Sequence, residues 1–167
     1  MLRSAACLLL LLVAACVAEE VTFRNCNEKG LDDVGTSRNC SIHQVTVNPC
    51  REAAQNKPCR LAKGRSAGIS FTYTPDESAD ELVSVASWKG PLMNAKFEGM
   101  DTDACHFTSC PVTGGQTSNY TFNLTLGRRI PTREYDVMWK LWNKGEERKF
   151  ECCFLITIKI GGAGSRS

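Results

Sequence analysis

The sequence predicts an all-β sandwich of seven or eight short strands. Apolar and polar residues alternate with a period of two in one segment after another, which is typical of strands with one buried face. The helical period is scarce. Turn signals at Asn48-Pro49, Pro75-Asp76 and Lys89-Gly90-Pro91 separate the segments. Many short strands joined by turns favour two sheets packed face to face.

Eight segments carry this pattern in chain order. The segment from Tyr120 to Leu126 alternates most clearly, so its apolar, even-numbered face is expected to lie inside. A single helical turn is expected within Cys50–Gln55. The strands are expected at Val21–Phe23, Ile42–Val47, Ile69–Tyr73, Leu82–Trp88, Met93–Phe97, Tyr120–Leu126, Tyr135–Leu141 and Phe154–Ile160.

The first 18 residues read as a secretory signal peptide. Arg3 begins a short basic start, residues 5–17 are apolar, and the segment ends in a small-x-small pattern at Ala18. The apolar run is too short for a typical membrane span, although an uncleaved N-terminal anchor stays open. Residues 19–167 are then expected to form a single domain, either secreted to the extracellular space or delivered to lysosomes.

Eight cysteines remain once Cys7 and Cys16 leave with the signal peptide. An even number of cysteines in an oxidising compartment indicates disulfides. The sequence alone permits on the order of 100 connectivities. A weaker zinc hypothesis rests on Cys105, His106 and Cys110, but the chain has only two histidines and no CxxC pair.

Three N-glycosylation sequons agree with secretion, at Asn39, Asn119 and Asn123. The sequon at Asn39 is the weakest, because its middle residue is Cys40, which is expected to be in a disulfide. Asn119 and Asn123 both lie on the odd-numbered face of one predicted strand. A glycan cannot be buried, so this face is expected outside.

Known catalytic motifs are absent from the sequence. There is no GxSxG elbow, no HExxH helix and no glycine-rich phosphate loop. His43 and His106 are interpreted as surface histidines, and Asp101 and Asp103 as a solvated loop rather than a calcium site. Lys and Arg total 20 against 18 Asp and Glu, which gives no argument for nucleic acid. No enzyme activity, catalytic residue, metal or cofactor is expected.

A family resemblance begins around Cys50 and Cys59. The run VTVNPC…PCRLAKGRSAGISFTYT resembles the MD-2-related lipid-recognition (ML) domain family, and most of all its Niemann-Pick type C2 branch. Four further motifs follow the same order, namely VTFRNC, ACHFTSCPV, IPTREYDVMWKLWN and CFLITIKI. The resemblance covers roughly residues 20 to 160. It implies an immunoglobulin-like β-sandwich whose two antiparallel sheets splay apart around an apolar pocket for a lipid, typically a sterol.

The resemblance also implies three disulfides, Cys26–Cys153, Cys50–Cys59 and Cys105–Cys110. Cys40 and Cys152 are surplus to the family pattern, and the simplest interpretation joins them in a fourth bond that ties an N-terminal loop to the sheet edge. The swapped pairing, Cys26–Cys152 with Cys40–Cys153, stays open. Neighbouring side chains on a strand point to opposite faces, so Cys152 and Cys153 are expected on different sides of the last strand.

The resemblance assigns a set of pocket residues by position. Any of them would also suit the ordinary core of a sandwich. Two features depart from the sterol carriers of the branch: Gly90–Phe97 holds one proline, and an isoleucine replaces an aromatic residue at the pocket mouth. The expected ligand-binding residues are Ile69, Phe71, Phe97, Leu126, Ile130, Pro131, Tyr135, Val137, Trp139, Phe154, Ile156 and Ile158.

The implied function is non-enzymatic lipid carriage by a monomer, with a sterol or similar hydrophobic molecule as ligand. A membrane or a membrane-bound sterol acceptor would be the partner in transfer. The competing hypothesis is recognition of microbial lipids in innate immunity, or carriage of fatty acids or hydrophobic semiochemicals.

Overall fold

The computed structural model describes residues 19–26, 37–90 and 94–162. The expected signal peptide, 1–18, lies outside the described residues. Short 3-10 turns lie at Ala53–Gln55 and Ala104–His106. The strands of the described part are β1 Glu19–Glu20, β2 Arg24–Asn25, β3 Cys40–Asn48, β4 Cys59–Ala62, β5 Ser66–Pro75, β6 Leu82–Trp88, β7 Ala95–Lys96, β8 Ser118–Thr125, β9 Glu134–Asn143 and β10 Glu151–Gly161.

These strands form two sheets, so the predicted all-β sandwich is confirmed. One sheet has the order β1-β3-β5-β8. The other has the order β2-β10-β9-β6-β7, and β4 also joins it beside β10. All neighbours in the two orders pair antiparallel, whereas β4 runs parallel to β10. The described residues contain no helix that is long and apolar enough to cross a membrane.

The main core lies between the two sheets. On β8, Tyr120 and Phe122 are buried while Asn119, Thr121 and Asn123 are exposed, as the alternation predicted. The largest side chains of this core include Tyr73, Tyr120, Trp139 and Phe154.

The last strand, β10, is buried on both faces. Cys152, Phe154 and Ile156 belong to the core between the sheets. Cys153 and Leu155 point the other way, into a smaller cluster with Cys26 and Met138. This part of the strand is therefore apolar at successive positions from Cys152 to Ile156, because both of its faces are buried.

Four disulfides are present, and their pairs are those expected by the simplest interpretation: Cys26–Cys153, Cys40–Cys152, Cys50–Cys59 and Cys105–Cys110. The expected position of the second bond at a sheet edge was wrong. Cys40 begins β3 in one sheet and Cys152 lies in β10 of the other, so the bond crosses the interior of the sandwich. Cys152 faces inward because it shares a strand face with Phe154 and Ile156.

The two sheets are pinched together at this bond. The Cα atoms of Cys40 and Cys152 are 5.1 Å apart, whereas facing sheets normally lie about 10 Å apart. Just before Cys40, Arg38 and Glu151 exchange two backbone hydrogen bonds of 2.7 and 2.8 Å. The Asn39 Nδ2 donates to the Lys149 carbonyl oxygen at 2.9 Å. We call this set of contacts, residues 38–40 with 149–152, the closed corner.

Three elements differ from the sequence prediction. Residues Val21–Phe23 are not a strand, and the flanking residues pair instead, as β1 and β2. The segment expected at Met93–Phe97 shortens to β7, with Met93 outside the described residues. Strand β4 was not predicted, because a four-residue strand has too few positions for alternation to be recognised.

Candidate functional site

A small apolar cavity lies between the sheets, at the end away from the closed corner. Its volume is about 30 Å³. Apart from the indole N–H groups of Trp88 and Trp139, its lining side chains are hydrocarbon. The lining residues are Val47, Leu61, Ala67, Gly68, Ile69, Trp88, Phe97, Leu124, Leu126, Val137, Trp139, Ile156 and Ile158.

Packed aromatic rings close the inner end of the cavity. Phe71 stacks on Tyr120 with centroids 4.7 Å apart and meets Phe154 edge-on at 5.0 Å. Trp139 packs edge-on against Tyr120 at 5.8 Å and against Phe122 at 5.5 Å. We call these five rings the aromatic floor. Ring packing of this kind favours a rigid base to the cavity.

Polar atoms lie buried within the aromatic floor. The Tyr120 hydroxyl and the Ser84 hydroxyl form a hydrogen bond of 2.7 Å, and both residues are fully buried. Burial raises the pKa of Tyr120 well above its usual value, and the bond to Ser84 opposes this rise only in part. Tyr120 therefore stays protonated at physiological pH. The Trp139 Nε1 is also buried, beside the Tyr120 hydroxyl.

Aromatic side chains also form the outer end of the cavity. The Trp88 ring packs on Phe97 at 4.3 Å and on Tyr135 at 4.8 Å between centroids. The Arg133 guanidinium lies 4.6 Å above the Tyr135 ring. The Tyr135 hydroxyl donates to the Pro131 carbonyl oxygen at 3.0 Å, which fixes the ring's position. We call Trp88, Phe97 and Tyr135 the mouth.

Two open clefts flank the cavity. One, of about 440 Å³, shares Trp88, Phe97, Leu124 and Leu126 with the cavity lining. The other, of about 540 Å³, shares Leu61, Ala67 and Leu126 with it. Leu126 is the one side chain of the described residues that lines the cavity and both clefts. It therefore separates the closed interior from both clefts.

The structure brings seven of the twelve expected pocket residues to the cavity wall. Phe71 and Phe154 lie beneath the wall in the aromatic floor. Ile130 lines the cleft beside Phe97. Tyr135 packs on Trp88, and Pro131 is exposed and reaches the site only through its carbonyl. The seven wall residues are Ile69, Phe97, Leu126, Val137, Trp139, Ile156 and Ile158.

Several residues of the cavity wall were not predicted from the sequence. Four of them show why. Leu124 shares the inner face of its segment with Leu126, and Trp88 lies at the end of a predicted strand, so alternation would have indicated both. Val47 was indicated by alternation in the same way. Leu61 lies on β4 and was not recognisable, because its position depends on parallel pairing with the distant β10.

The loop around Cys105 is not a metal site. Cys105 and Cys110 are joined in a disulfide, so the zinc hypothesis was wrong. The Asp101 Oδ2 lies 2.7 Å from the His106 Nδ1, and this hydrogen bond raises the pKa of His106. Within the described ranges, no group of three His, Cys, Asp or Glu residues could hold a metal ion.

Comparison with known proteins places these features in a family. The family model of the ML domain matches residues 20–160. The chain belongs to the ML-domain family. This ML domain is 37% identical to the MD-2-related lipid-recognition protein of Manduca sexta, over 92% of this chain and 94% of the relative. It is 31% identical to NPC intracellular cholesterol transporter 2 of Sus scrofa, over 94% of this chain and 96% of the relative.

A solved structure shares the fold. The Niemann-Pick type C2 protein of the Japanese carpenter ant superposes with a TM-score of 0.68, at 15% sequence identity. The superposition covers 84% of this chain and 99% of the ant protein. At this identity the likeness establishes the sandwich architecture and nothing more.

Proposed function

We propose that this ML domain is a non-enzymatic lipid carrier, which binds a sterol or a similar hydrophobic molecule between its sheets. The observation that carries the proposal is the cavity with a hydrocarbon wall, closed by rings at its inner end and flanked by clefts at its outer end. The names of two relatives, a lipid-recognition protein and a cholesterol transporter, support the same class of ligand.

Burial of apolar surface would supply the binding free energy. A sterol-sized ligand would lose a few hundred Å² of apolar surface to such a wall, which is worth several kcal/mol at about 25 cal/mol per Å², before association costs. Shape and a water-free lining would then select the ligand, with few polar contacts.

Ligand entry requires the cavity to expand. Its volume of about 30 Å³ is far below the roughly 300–1,000 Å³ of ligand pockets. The closed corner holds the sheets together at one end, so expansion occurs at the mouth. Movement of the Leu126 and Phe97 side chains would join the cavity to the clefts.

Transfer to a membrane or a membrane-bound acceptor would proceed through the same end. The clefts carry the basic residues Arg60, Arg65 and Lys96 against one acidic residue, Glu98. A basic rim around an apolar opening would favour an anionic lipid surface.

Lipid recognition in place of transport is the second candidate. It is favoured by the higher identity to the MD-2-related lipid-recognition protein than to the cholesterol transporter. In that case the ligand would be a microbial lipid, a fatty acid or a hydrophobic semiochemical rather than a sterol.

We also propose that the chain is secreted or lysosomal, loses residues 1–18, and acts as a monomer. Asn119 and Asn123 are exposed on the outer face of β8, where glycans would be accommodated. Asn39 is a poor acceptor, because its Nδ2, the atom that would carry the sugar, donates to the Lys149 carbonyl in the closed corner.

The proposal is tested by titrating the purified protein with cholesterol while tryptophan fluorescence is recorded. We expect a saturable change, because Trp88 and Trp139 line the cavity. Phe97→Ala removes roughly 50 Å² of ring contact and should weaken binding by about tenfold.

The matched control is Phe107→Ala, which truncates another partly buried ring that packs on Phe122 but lies outside the cavity wall. This variant should keep the affinity of the wild type. Absence of saturable binding of cholesterol, together with clear binding of oleic acid or lipid A, would favour the second candidate.

A further inference from the structure

Three arginines border the cleft of about 540 Å³, which we call the arginine cleft. Arg60 and Arg65 are among its lining residues. Arg128 lies against Gly64 of the same lining, with its Nε and Cγ atoms each 3.2 Å from the position that a Cβ atom on Gly64 would occupy. All three arginines are exposed, so positive charge is concentrated here although the net charge of the whole chain is only +2.

The backbone holds this group of charges beside Leu126. Gly64 has a φ of +70°, a conformation that favours glycine, and a side chain at this position would also displace Arg128. The Gly64 N–H donates to the Leu126 carbonyl at 2.8 Å, and the Leu126 N–H donates to the Arg65 carbonyl at 3.0 Å. The turn that carries the charges is therefore tied to a residue of the cavity wall.

Acidic side chains do not neutralise these arginines. Among the described residues, none of the three guanidinium groups forms an ion pair with Asp or Glu. The Glu52 Oε2 accepts instead from the backbone N–H of Arg60, at 3.2 Å. Neighbouring like charges repel, so an anion in the arginine cleft would be favourable. Basic side chains that do pair with Asp or Glu lie elsewhere, at Arg24, Lys140, Lys144, Arg148 and Lys159.

The cavity and the second cleft offer an anion less. Lys96 and Glu98 both line the cleft of about 440 Å³, where their opposite charges offset each other. No lysine, arginine or histidine contributes to the cavity wall, and burial of an ionised group without a cation is strongly unfavourable. Of these three spaces, the arginine cleft is therefore the favourable place for a negative charge.

The arginine cleft is continuous with the hydrocarbon wall of the cavity. Leu61, Ala67 and Leu126 line both spaces. A ligand whose apolar body occupies the enlarged cavity can thus extend past Leu126 and place its polar end among the arginines. Guanidinium groups bind carboxylate, sulfate and phosphate through paired, charge-assisted hydrogen bonds.

We propose that the ligand is an anionic amphiphile, whose apolar body lies between the sheets while its carboxylate, sulfate or phosphate head group binds Arg60, Arg65 and Arg128 in the arginine cleft. This inference rests on the proposed lipid-binding function. It gives the ligand an orientation, with the apolar end inserted first, and it makes the arginines the residues that select a charged lipid over a neutral one.

The test compares ligands that share one apolar body and differ in charge: cholesterol sulfate with cholesterol, and oleate with oleyl alcohol. Tryptophan fluorescence is recorded without vesicles, so that no membrane surface contributes. The wild-type protein should bind the anionic member of a pair about tenfold more tightly, and added salt should reduce this ratio. Equal affinities, or tighter binding of the neutral member, overturn the inference while lipid binding stands. Failure of all four ligands to bind overturns the proposed function as well.

Variants locate the head group. The combined change of Arg60→Gln, Arg65→Gln and Arg128→Gln should remove most of the preference for the anionic ligand. The ratio of the two affinities is the readout, because general damage to the fold weakens both ligands alike. The matched control is Arg129→Gln, which removes an exposed arginine next to Arg128 that does not line the cleft and should keep the wild-type ratio. If the combined variant keeps the ratio, or if Lys96→Gln removes it, the inference is overturned.

Two further arms separate other sources of the same anionic chemistry. Inorganic sulfate should compete only weakly compared with chloride of equal ionic strength, because it brings no apolar surface. Strong competition would indicate a site for free anions and overturn the inference. Flotation with phosphatidylcholine vesicles, with and without phosphatidylglycerol, measures attachment to a membrane. If the combined variant loses attachment to the anionic vesicles but keeps the ligand preference, the arginines serve the membrane alone, and the inference is again overturned.

Discussion

Individual side chains define the two ends of the cavity. At the outer end Leu126 is 2% exposed and borders the cavity and both clefts. Its backbone is held on both sides: its carbonyl accepts from the Gly64 N–H at 2.8 Å, and its N–H donates to the Arg65 carbonyl at 3.0 Å. An opening at this position would therefore involve a rotation of the side chain rather than a shift of the backbone. At the inner end, the Trp139 ring packs edge-on against Tyr120 and Phe122.

Leu126→Ala tests this opening. The substitution should lower the free energy of unfolding by about 2–3 kcal/mol, because it enlarges a buried cavity. It should also raise the association rate constant for cholesterol, since the barrier between cleft and cavity becomes smaller. Urea unfolding and stopped-flow fluorescence measure the two effects. An unchanged or slower association would show that entry takes another route.

The His106–Asp101 pair predicts a pH effect away from the cavity. The hydrogen bond with Asp101 raises the pKa of His106 above its ordinary value of 6.5. A raised pKa in the folded state means that the contribution of the charged His106 imidazole to stability is fully present below its unfolded-state pKa and is lost as the pH rises through its folded-state pKa. An NMR titration should therefore show a His106 pKa above 6.5, and Asp101→Asn should lower it. A pKa that is the same in both proteins would show that the pair is not formed in solution.

At the scale of elements, β10 organises the molecule. Its outer face carries the bond from Cys153 to Cys26, and its inner face carries both the bond from Cys152 to Cys40 and the cavity wall. The opposite orientation of the two neighbouring cysteines followed from the geometry of any strand. The prediction of which cysteines pair depended on the family resemblance, because residue spacing alone leaves the connectivity open.

Removal of the bond between the sheets, in Cys40→Ala with Cys152→Ala, tests the closed corner. The two cysteines are 112 residues apart in sequence, but Cys26–Cys153 already closes nearly the same loop. The second bond therefore closes an additional ring of only about 16 residues, worth about 3 kcal/mol in the chain-entropy model. Urea unfolding should show a loss of this order.

The matching comparison is Cys105→Ala with Cys110→Ala, which opens a ring with a sequence separation of 5. This variant should lose less stability than the variant at the closed corner. An equal or larger loss would contradict the view that the bond between the sheets is the stronger restraint.

At the scale of the whole molecule, the two sheets are held together at the closed corner, and the proposed entry for lipid lies at the opposite end. Most of its strands could be predicted from alternation alone, since they are long and half-buried, like β5, β8 and β9. The short pairings of β1, β2 and β4 could not, because they depend on distant strands. Likewise, residue types indicated an apolar interior, but not that Phe71 and Phe154 would pack into the aromatic floor while Ile69 and Ile156 line the cavity.

Native mass spectrometry of the protein secreted from eukaryotic cells, with extraction of the bound material, tests the central claim most directly. We predict a chain that begins at Glu19, carries four disulfides, and holds one lipid per protein molecule, which organic extraction releases. A protein that stays free of lipid after secretion and takes up none when sterols, fatty alcohols and fatty acids are added would contradict the account.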